Sequence, residues 1–298
     1  MKKLIDLHIH TTYSDGALMP KEVIDEASAN KVGTIAICDH DTIDAYTDEL
    51  FEYAKEKGIK LIPGVEISTK IKKCGIHVLG YNFDLNNKEF REKLYNLRNA
   101  RHIYLRKVAK KLEDLGYIVA VDKLDKIDSV TKAHIANDVI GNKENENKLK
   151  ETFGNIPQMG EFIESIMNEG CPAYVKKETI TPKEASSLIH KAGGEVILAH
   201  PVAYSYEDNL TEEDIEKLVI EMQPDGIEAN YIYIDRNNIK HNDIARWNDF
   251  AKKHNLKTTI GSDFHKKDGI HPIIGLAGED ISLTDDEVKQ MINFLLHN

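Results

Sequence analysis

The sequence predicts an α/β fold, a parallel sheet of about seven strands closed into a barrel and interrupted once by a mainly helical insertion. Three observations carry this. Short apolar runs alternate with amphipathic helical patterns through residues 4–83 and again from residue 182 onward. Between about Asn86 and Lys177 the alternation stops and long helical patterns replace it. Histidines and acids recur where the apolar runs give way to loops, as in barrels that collect their chemistry at the C-terminal ends of their strands.

Strand-like runs fall at 4–10, 34–39, 60–68 and 76–83, with helical patterns such as Pro20–Lys31 and Ile43–Lys57 between them. The series resumes with helix Pro182–Ala192, strand Glu195–Ala199, helix Glu213–Met222, strand Gly226–Ala229, helix Ile239–His254 and strand Lys257–Ser262. Repeats of this kind predict parallel strands joined by right-handed crossovers. Inside the insertion, Phe90–Leu115 reads as one long helix with Leu94, Leu97, Tyr104, Val108, Leu112 and Leu115 as its apolar stripe. Asn142–Lys150 is polar and charged and reads as a loop, and Gln158–Asn168 as a further helix. The expected division is a barrel of residues 1–85 and 178–298 around an inserted cap of residues 86–177.

The first run, Leu4-Ile5-Asp6-Leu7-His8-Ile9-His10, alternates with period two, which sets His8 and His10 on one face within reach of one cation. Asp263-Phe264-His265 repeats the spacing after Thr258–Ser262. With Asp15, His40, Glu66, His77 and His200 these make nine potential metal ligands. Imidazole and carboxylate donors together suit zinc, manganese or iron, whereas calcium takes oxygen alone. Nine donors exceed one ion, so two or three metals sharing a bridging carboxylate are expected, the arrangement that activates water against phosphate esters. His77 opens its run instead of ending it and has the weakest spacing signal. His102, His190, His241, His254, His271 and His297 have no such spacing and read as ordinary polar histidines.

The runs Asp6-Leu7-His8-Ile9-His10-Thr11-Thr12-Tyr13-Ser14-Asp15-Gly16, Ile37-Cys38-Asp39-His40-Asp41, Pro63-Gly64-Val65-Glu66-Ile67-Ser68, Ala199-His200-Pro201 and Gly261-Ser262-Asp263-Phe264-His265 resemble the successive motifs of the polymerase and histidinol phosphatase (PHP) superfamily. Within it the chain is most similar to free-standing nucleotide phosphoesterases with an inserted domain, through Thr131-Lys132-Ala133-His134-Ile135-Ala136 and Pro172-Ala173-Tyr174-Val175. The resemblance implies a distorted (β/α)7 barrel of the PHP type with a helical cap. It implies one metal on His8, His10, Glu66 and Asp263, a second on Asp15, His40 and His265, and a third on Glu66, His77 and His200, with a hydroxide between metals as nucleophile. Asp263 and Asp39 would orient that nucleophile or take its proton, and Asp6, Asp39 and Asp41 would accept from the ligands' second ring nitrogens. Lys132, His134, Arg98 and Arg101 are the substrate-binding candidates of the cap. Two residues depart from the family pattern, Lys132 where arginine is usual and Lys266 where glycine is usual.

Composition sets further bounds. A chain of 298 residues suits one large barrel with an insertion. Three scattered cysteines (Cys38, Cys74, Cys171) argue against a disulfide framework, and Cys38 reads as a small buried hydrophobe. No long apolar stretch follows the two N-terminal lysines, so the expected location is the cytoplasm, with no membrane and no obligate protein partner. The formal charge is −11, yet residues 91–111 hold eight Lys or Arg against the single acid Glu92. That helix either steers a phosphorylated ligand or is a solvated face balanced by acids elsewhere. A long nucleic-acid groove is not expected, because it needs a broader basic footprint and stacking aromatics. The predicted function is hydrolysis of phosphate monoesters of small nucleotides, such as 3′,5′-bisphosphates, or trimming of short oligonucleotides from the 5′ end. The competitors are histidinol-phosphate phosphatase and a non-catalytic metal-binding module.

Overall fold

The apolar runs expected as strands assemble into one seven-stranded sheet: β1 (Leu4–Ile9), β2 (Val32–Ile37), β3 (Lys60–Ile71), β4 (Cys74–Tyr81), β5 (Glu195–Leu198), β6 (Gly226–Asn230) and β9 (Lys257–Ile260), in that order. Strands β7 (Tyr233–Ile234) and β8 (Lys240–His241) form a separate two-stranded ribbon. The structure, a computed structural model, describes residues 4–127, 130–176, 179–275 and 283–296. The chain divides into two compact units, one of residues 1–93 with 179–298 and one of residues 94–178.

The sheet is mostly parallel, but β4 runs antiparallel to both β3 and β5, which corrects the all-parallel expectation. The reason is local. Lys72, in the left-handed region at φ 51°, lets β3 fold straight back into β4 with Ile71 opposite Cys74, so no crossover helix intervenes. The sheet's first strand meets the segment after its last through a parallel bridge between Ile9 and Phe264, where the His10 N–H donates to the Phe264 carbonyl over 2.9 Å.

Helices α1 (Pro20–Ala29), α2 (Asp48–Glu56), α8 (Pro182–Lys191), α9 (Pro201–Glu207), α10 (Glu212–Met222), α11 (Ile244–Lys253) and α12 (Asp285–Leu295) accompany this sheet. Two of them start later than the sequence predicted. Thr47 caps α2 by accepting from the Leu50 N–H, while the buried Tyr46 hydroxyl bonds the backbone of Ile37, Ile62 and Gly64 and holds the preceding residues out of the helix. Before α11, the Asp235 carboxylate accepts from the N–H groups of Asn237 and Ile239 and makes the β7–β8 turn instead. Helices α9 and α12 were not foreseen, although Thr284 and Glu287 form the reciprocal capping box that announces α12. Met291 and Leu295 of α12 join Ile5, Leu7, Cys38, Ile62, Tyr81 and Ile197 in one buried cluster. Cys38 donates to the Leu7 carbonyl, and all three cysteines are free.

The second unit takes most of α3 (Lys88–Asp114) with α4 (Val121–Leu124), α5 (Lys132–Gly141), α6 (Glu146–Phe153) and α7 (Met159–Phe162), the last continuing as a π turn over Ile163–Met167. Leu105, Val108 and Leu112 of α3 pack with Ile135, Val139, Leu149, Phe162 and Met167 into its own core. The segment Asn142–Lys150 is not the expected loop. A 3-10 turn (Lys143–Asn145) leads into α6 because Leu149 is fully buried and the buried Asn145 bonds the backbone of Ile118 and Val139. Its charged residues are the exposed face of that helix, paired as Glu146 with Lys150.

Candidate metal centre

All nine sequence-predicted metal ligands are brought to one rim of the sheet. His8 lies in β1 and His10 just beyond it, His40 follows β2, His200 follows β5, and Asp263 and His265 follow β9. Glu66 sits inside the long β3 at the level of His40, with which it forms a parallel bridge. The reversed direction of β4 accounts for His77, since the start of an antiparallel strand lies at the rim where its parallel neighbours end. His77 pairs with Ser68 in register, one side-chain step from Glu66.

Glu66 is the centre of the cluster. Its Oε2 lies 3.3 Å from His8 Nε2, 3.2 Å from His10 Nε2 and 3.3 Å from His40 Nδ1, and its Oε1 lies 2.9 Å from His77 Nδ1 and 3.2 Å from His200 Nε2. Asp263 Oδ1 approaches His8 Nε2 at 3.4 Å and His10 Nε2 at 3.1 Å. Asp15 approaches His10 at 3.5 Å, His265 at 3.4 Å and His40 at 3.6 Å. Ligand atoms within 4.8 Å of one another fall into three sets: His8, His10, Glu66 and Asp263; His10, Asp15, His40 and His265; and His40, Glu66 and His77.

Burial opposes charge on Glu66, but the imidazoles of His77, His40 and His8 hold its carboxyl well below the usual range. Asp263 is likewise held down against burial by His8 and His265, and Asp15 by His40 and His265. Burial brings the His40 imidazole down to about 3. His10 goes the other way: against burial, the carboxylates of Asp263 and Glu66 raise it to about 10.

This donor set fits metal ions. Imidazole nitrogens face one another at 3.1 Å between His8 Nε2 and His10 Nε2 and at 3.3 Å between His77 Nδ1 and His200 Nε2, while the buried His40 Nδ1 makes no hydrogen bond among the described residues. Converging lone pairs with carboxylates beside them are satisfied by cations better than by each other. The backbone is also held out of its easy conformations here, with His200 at φ 23° and Asp263 at φ 52°. Such non-glycine residues cost about 1–3 kcal/mol each and gather at functional sites.

Glu228, in β6, is the residue that sequence reading missed. It is fully buried, and its carboxylate lies 3.1 and 3.2 Å from His8 Nδ1 and accepts from the His200 N–H over 3.0 Å. It thereby fixes the ring of one candidate ligand and the backbone of another. The available signal was an acid inside the apolar strand Gly226-Ile227-Glu228-Ala229, since a buried carboxylate needs partners. Gly261 passes so close that an added Cβ would collide with His8 and Glu228.

Behind the His8 ring it is Glu228, and not one of the acids expected there, that accepts. Asp6 takes the N–H groups of His8, Ser262 and Gly275, and burial pushes it up to about 6 despite them. Asp39 accepts from the Thr11 N–H and hydroxyl and from the Ser14 hydroxyl, whose oxygen is 3.4 Å from His10 Nδ1. Asp41 accepts from the Ser68 N–H. Tyr231 donates to Asp263 Oδ2 over 3.2 Å. Glu228→Gln is expected to lower turnover by about 10–100-fold, the scale for groups that orient a ligand, with metal content measured alongside. An unchanged rate would remove Glu228 from the site.

In the second unit, Lys132 Nζ donates to Asn168 over 2.8 Å and His134 Nδ1 accepts from the Thr131 N–H over 3.1 Å at the start of α5. Arg101 is buried and Arg98 half-buried on α3. The histidines without spacing signal lie outside the cluster: His102 pairs with Asp125, His190 with Asp225, His241 with Asp235 and His271 with Asp268, and His254 packs on Phe250. His297 lies outside the described residues. Lys266 is exposed, and nothing in the structure explains its departure from the family pattern.

A sheet whose rim gathers six imidazoles and two further carboxylates around a central glutamate defines a metal-binding α/β protein. The chain belongs to the PHP domain family, whose model matches residues 6–194. It is 35% identical over 270 residues to a 5′-3′ exoribonuclease of Haemophilus influenzae, covering 89% of this chain and 91% of that one. It is 28% identical to the 3′,5′-nucleoside bisphosphate phosphatase of Chromobacterium violaceum, covering 95% and 92%. The fold is similar to a crystal structure from Bifidobacterium adolescentis, provisionally described as a metal-dependent phosphoesterase, with a TM-score of 0.70 at 23% identity over 98% of this chain and 96% of that one. Among the described residues no helix is long and apolar enough to cross a membrane.

Proposed function

We propose that this chain is a metal-dependent phosphoesterase that hydrolyses phosphate monoesters of small nucleotides, such as nucleoside 3′,5′-bisphosphates, or trims short oligoribonucleotides from the 5′ end. The observation that carries it is Glu66, whose two oxygens face different groups of imidazoles. Similarity to an exoribonuclease and to a bisphosphate phosphatase supports the substrate class. We read the Ile9–Phe264 bridge as closure of a distorted (β/α)7 barrel and residues 94–178 as the inserted cap.

His8, His10, Glu66 and Asp263 would hold one manganese, zinc or iron ion, Asp15, His40 and His265 a second, and Glu66, His77 and His200 a third. Ions there would lower the pKa of water and offset charge on the phosphoryl oxygens. The chain's own residues do the positioning. Glu228 keeps His8 turned so that its Nε2 faces Glu66. Tyr231 steadies Asp263, the carboxylate placed to orient the attacking water or take its proton. Asp39 acts from behind, through Thr11 and Ser14, on the loop that carries His10 and Asp15. Lys132 and His134, with Arg98 and Arg101, would grip a second phosphate or the nucleotide's far end.

The test is hydrolysis by manganese-loaded protein of a panel of nucleoside bisphosphates, 5′-phosphorylated short RNAs and histidinol phosphate. Preference for histidinol phosphate, or no hydrolysis of any member, would overturn the reading. For the cap, Lys132→Ala and His134→Ala should keep metal content while lowering kcat/KM for nucleotides about 10- to 150-fold, the worth of one charge-assisted hydrogen bond. An aryl phosphate, which offers no second group to hold, should lose much less. Equal losses on both substrates, or metal lost from His134→Ala, would move His134 into the metal site.

A further inference from the structure

The second unit carries a basic cavity that the mechanism above does not use. Arg106, Lys107, Lys110 and Lys111 of α3 and Lys176 line an open cavity of about 620 Å³, with Tyr174 in its wall. Positions 106 and 107 stand one helical turn from 110 and 111, so the four cations form two adjacent rows along one face. Lys111 Nζ donates to the Tyr174 carbonyl over 2.6 Å and ties the segment bearing Tyr174 and Lys176 to the helix. Arg106 pairs with Asp125 and Lys110 with Asp114, while Lys107 and Lys176 have no partner among the described residues. Five cations thus meet two acids in a protein whose formal charge is −11. A merely solvated helix face would be matched by acids; this one keeps an excess of positive charge, and the half-buried Tyr174 stands in the cavity's lining.

We infer that this cavity of the second unit binds the phosphodiester backbone of a single-stranded oligonucleotide. The inference rests on the nucleotide phosphoesterase reading and names the substrate part that distinguishes an oligonucleotide from a mononucleotide. Ammonium groups recognise phosphates as point charges and tolerate any sequence, and Tyr174 offers a ring on which a base can stack. Tyr174 is the aromatic element that the sequence, read as a basic helix alone, did not place beside the cations.

The test compares wild type with Lys107→Glu/Lys176→Glu, two exposed positions whose change leaves the core of the unit untouched. Affinity for a 3′-labelled, hydrolysis-resistant RNA decamer is read by fluorescence anisotropy at several salt concentrations, and kcat/KM is read on a nucleoside 3′,5′-bisphosphate. The double variant should bind the decamer about 10-fold more weakly, with the salt slope shallower by about 0.7 for each phosphate that the protein no longer neutralises. Its bisphosphate kinetics should stay within about 2-fold of wild type, because a mononucleotide has no phosphodiester backbone for the cavity to hold. Unchanged decamer affinity would overturn the inference, as would complete displacement of the decamer by millimolar inorganic phosphate, which marks a single-anion site. A parallel fall on the bisphosphate would overturn it too and make the lysines long-range steering charges. Failure of wild type to hydrolyse any nucleotide counts against the enzymatic reading alone, since the anisotropy comparison needs no turnover.

Discussion

Glu66→Gln is expected to preserve the fold and abolish most activity, with turnover falling by several orders of magnitude, beyond the roughly 10–100-fold of groups that merely orient a ligand. The shape is kept, so the buried backbone pairing of β3 with β2 and β4 has no reason to change. What changes is charge and donor pattern. One carboxylate now lies within 3.3 Å of five imidazole nitrogens, and the amide would turn an N–H₂ donor toward at least two of them while removing the negative charge that they share. The measurement is kcat together with metal content by elemental analysis, with circular dichroism as a check on folding. His254→Ala, at the C-cap of α11 and outside the cluster, is the control and should stay within about 2-fold. Comparable losses in the two variants would mean that the centre has been misplaced.

Prolonged chelation should eliminate phosphoesterase activity, and manganese or another divalent transition ion should restore it. Asp15, Glu66 and Asp263 are all held below the usual carboxylate range and sit among imidazoles, so apo protein keeps concentrated charge that a cation would neutralise. Native protein is expected to carry two or three transition-metal equivalents. Because the cluster exists only in the folded chain, ions binding there also stabilise it, by about 2.7 kcal/mol when free metal is 100 times Kd. Chelation should therefore lower Tm as well as activity. Full activity after verified metal removal, or magnesium alone by elemental analysis, would defeat the proposal.

Much of this was legible in the chain. Period-two runs ending in His8 and His10 or opening onto Asp263 and His265 mark strands and candidate ligands together, because β geometry forces alternate side chains onto one face. The amphipathic stripe of residues 90–115 marks α3 for the same reason, one period being enough to define a buried face. Local chemistry also explains two of the misjudged boundaries: Thr47 and Asp235 are cap and turn residues whose side chains capture backbone N–H groups, and that signal was present but outweighed by apolar periodicity.

The residue types of the centre, their pairing along strands and the family to which the chain belongs were thus determined by sequence alone, since each depends on neighbours one to four positions apart. Tertiary structure decided the rest. That Glu228 stands behind His8 depends on a contact across 220 residues of chain. The same holds for Tyr174 and the lysines of α3, which are brought into one cavity from 63 residues apart. Periodicity carries no information at such separations, because what joins these groups is the packing of elements and not the geometry of any one of them.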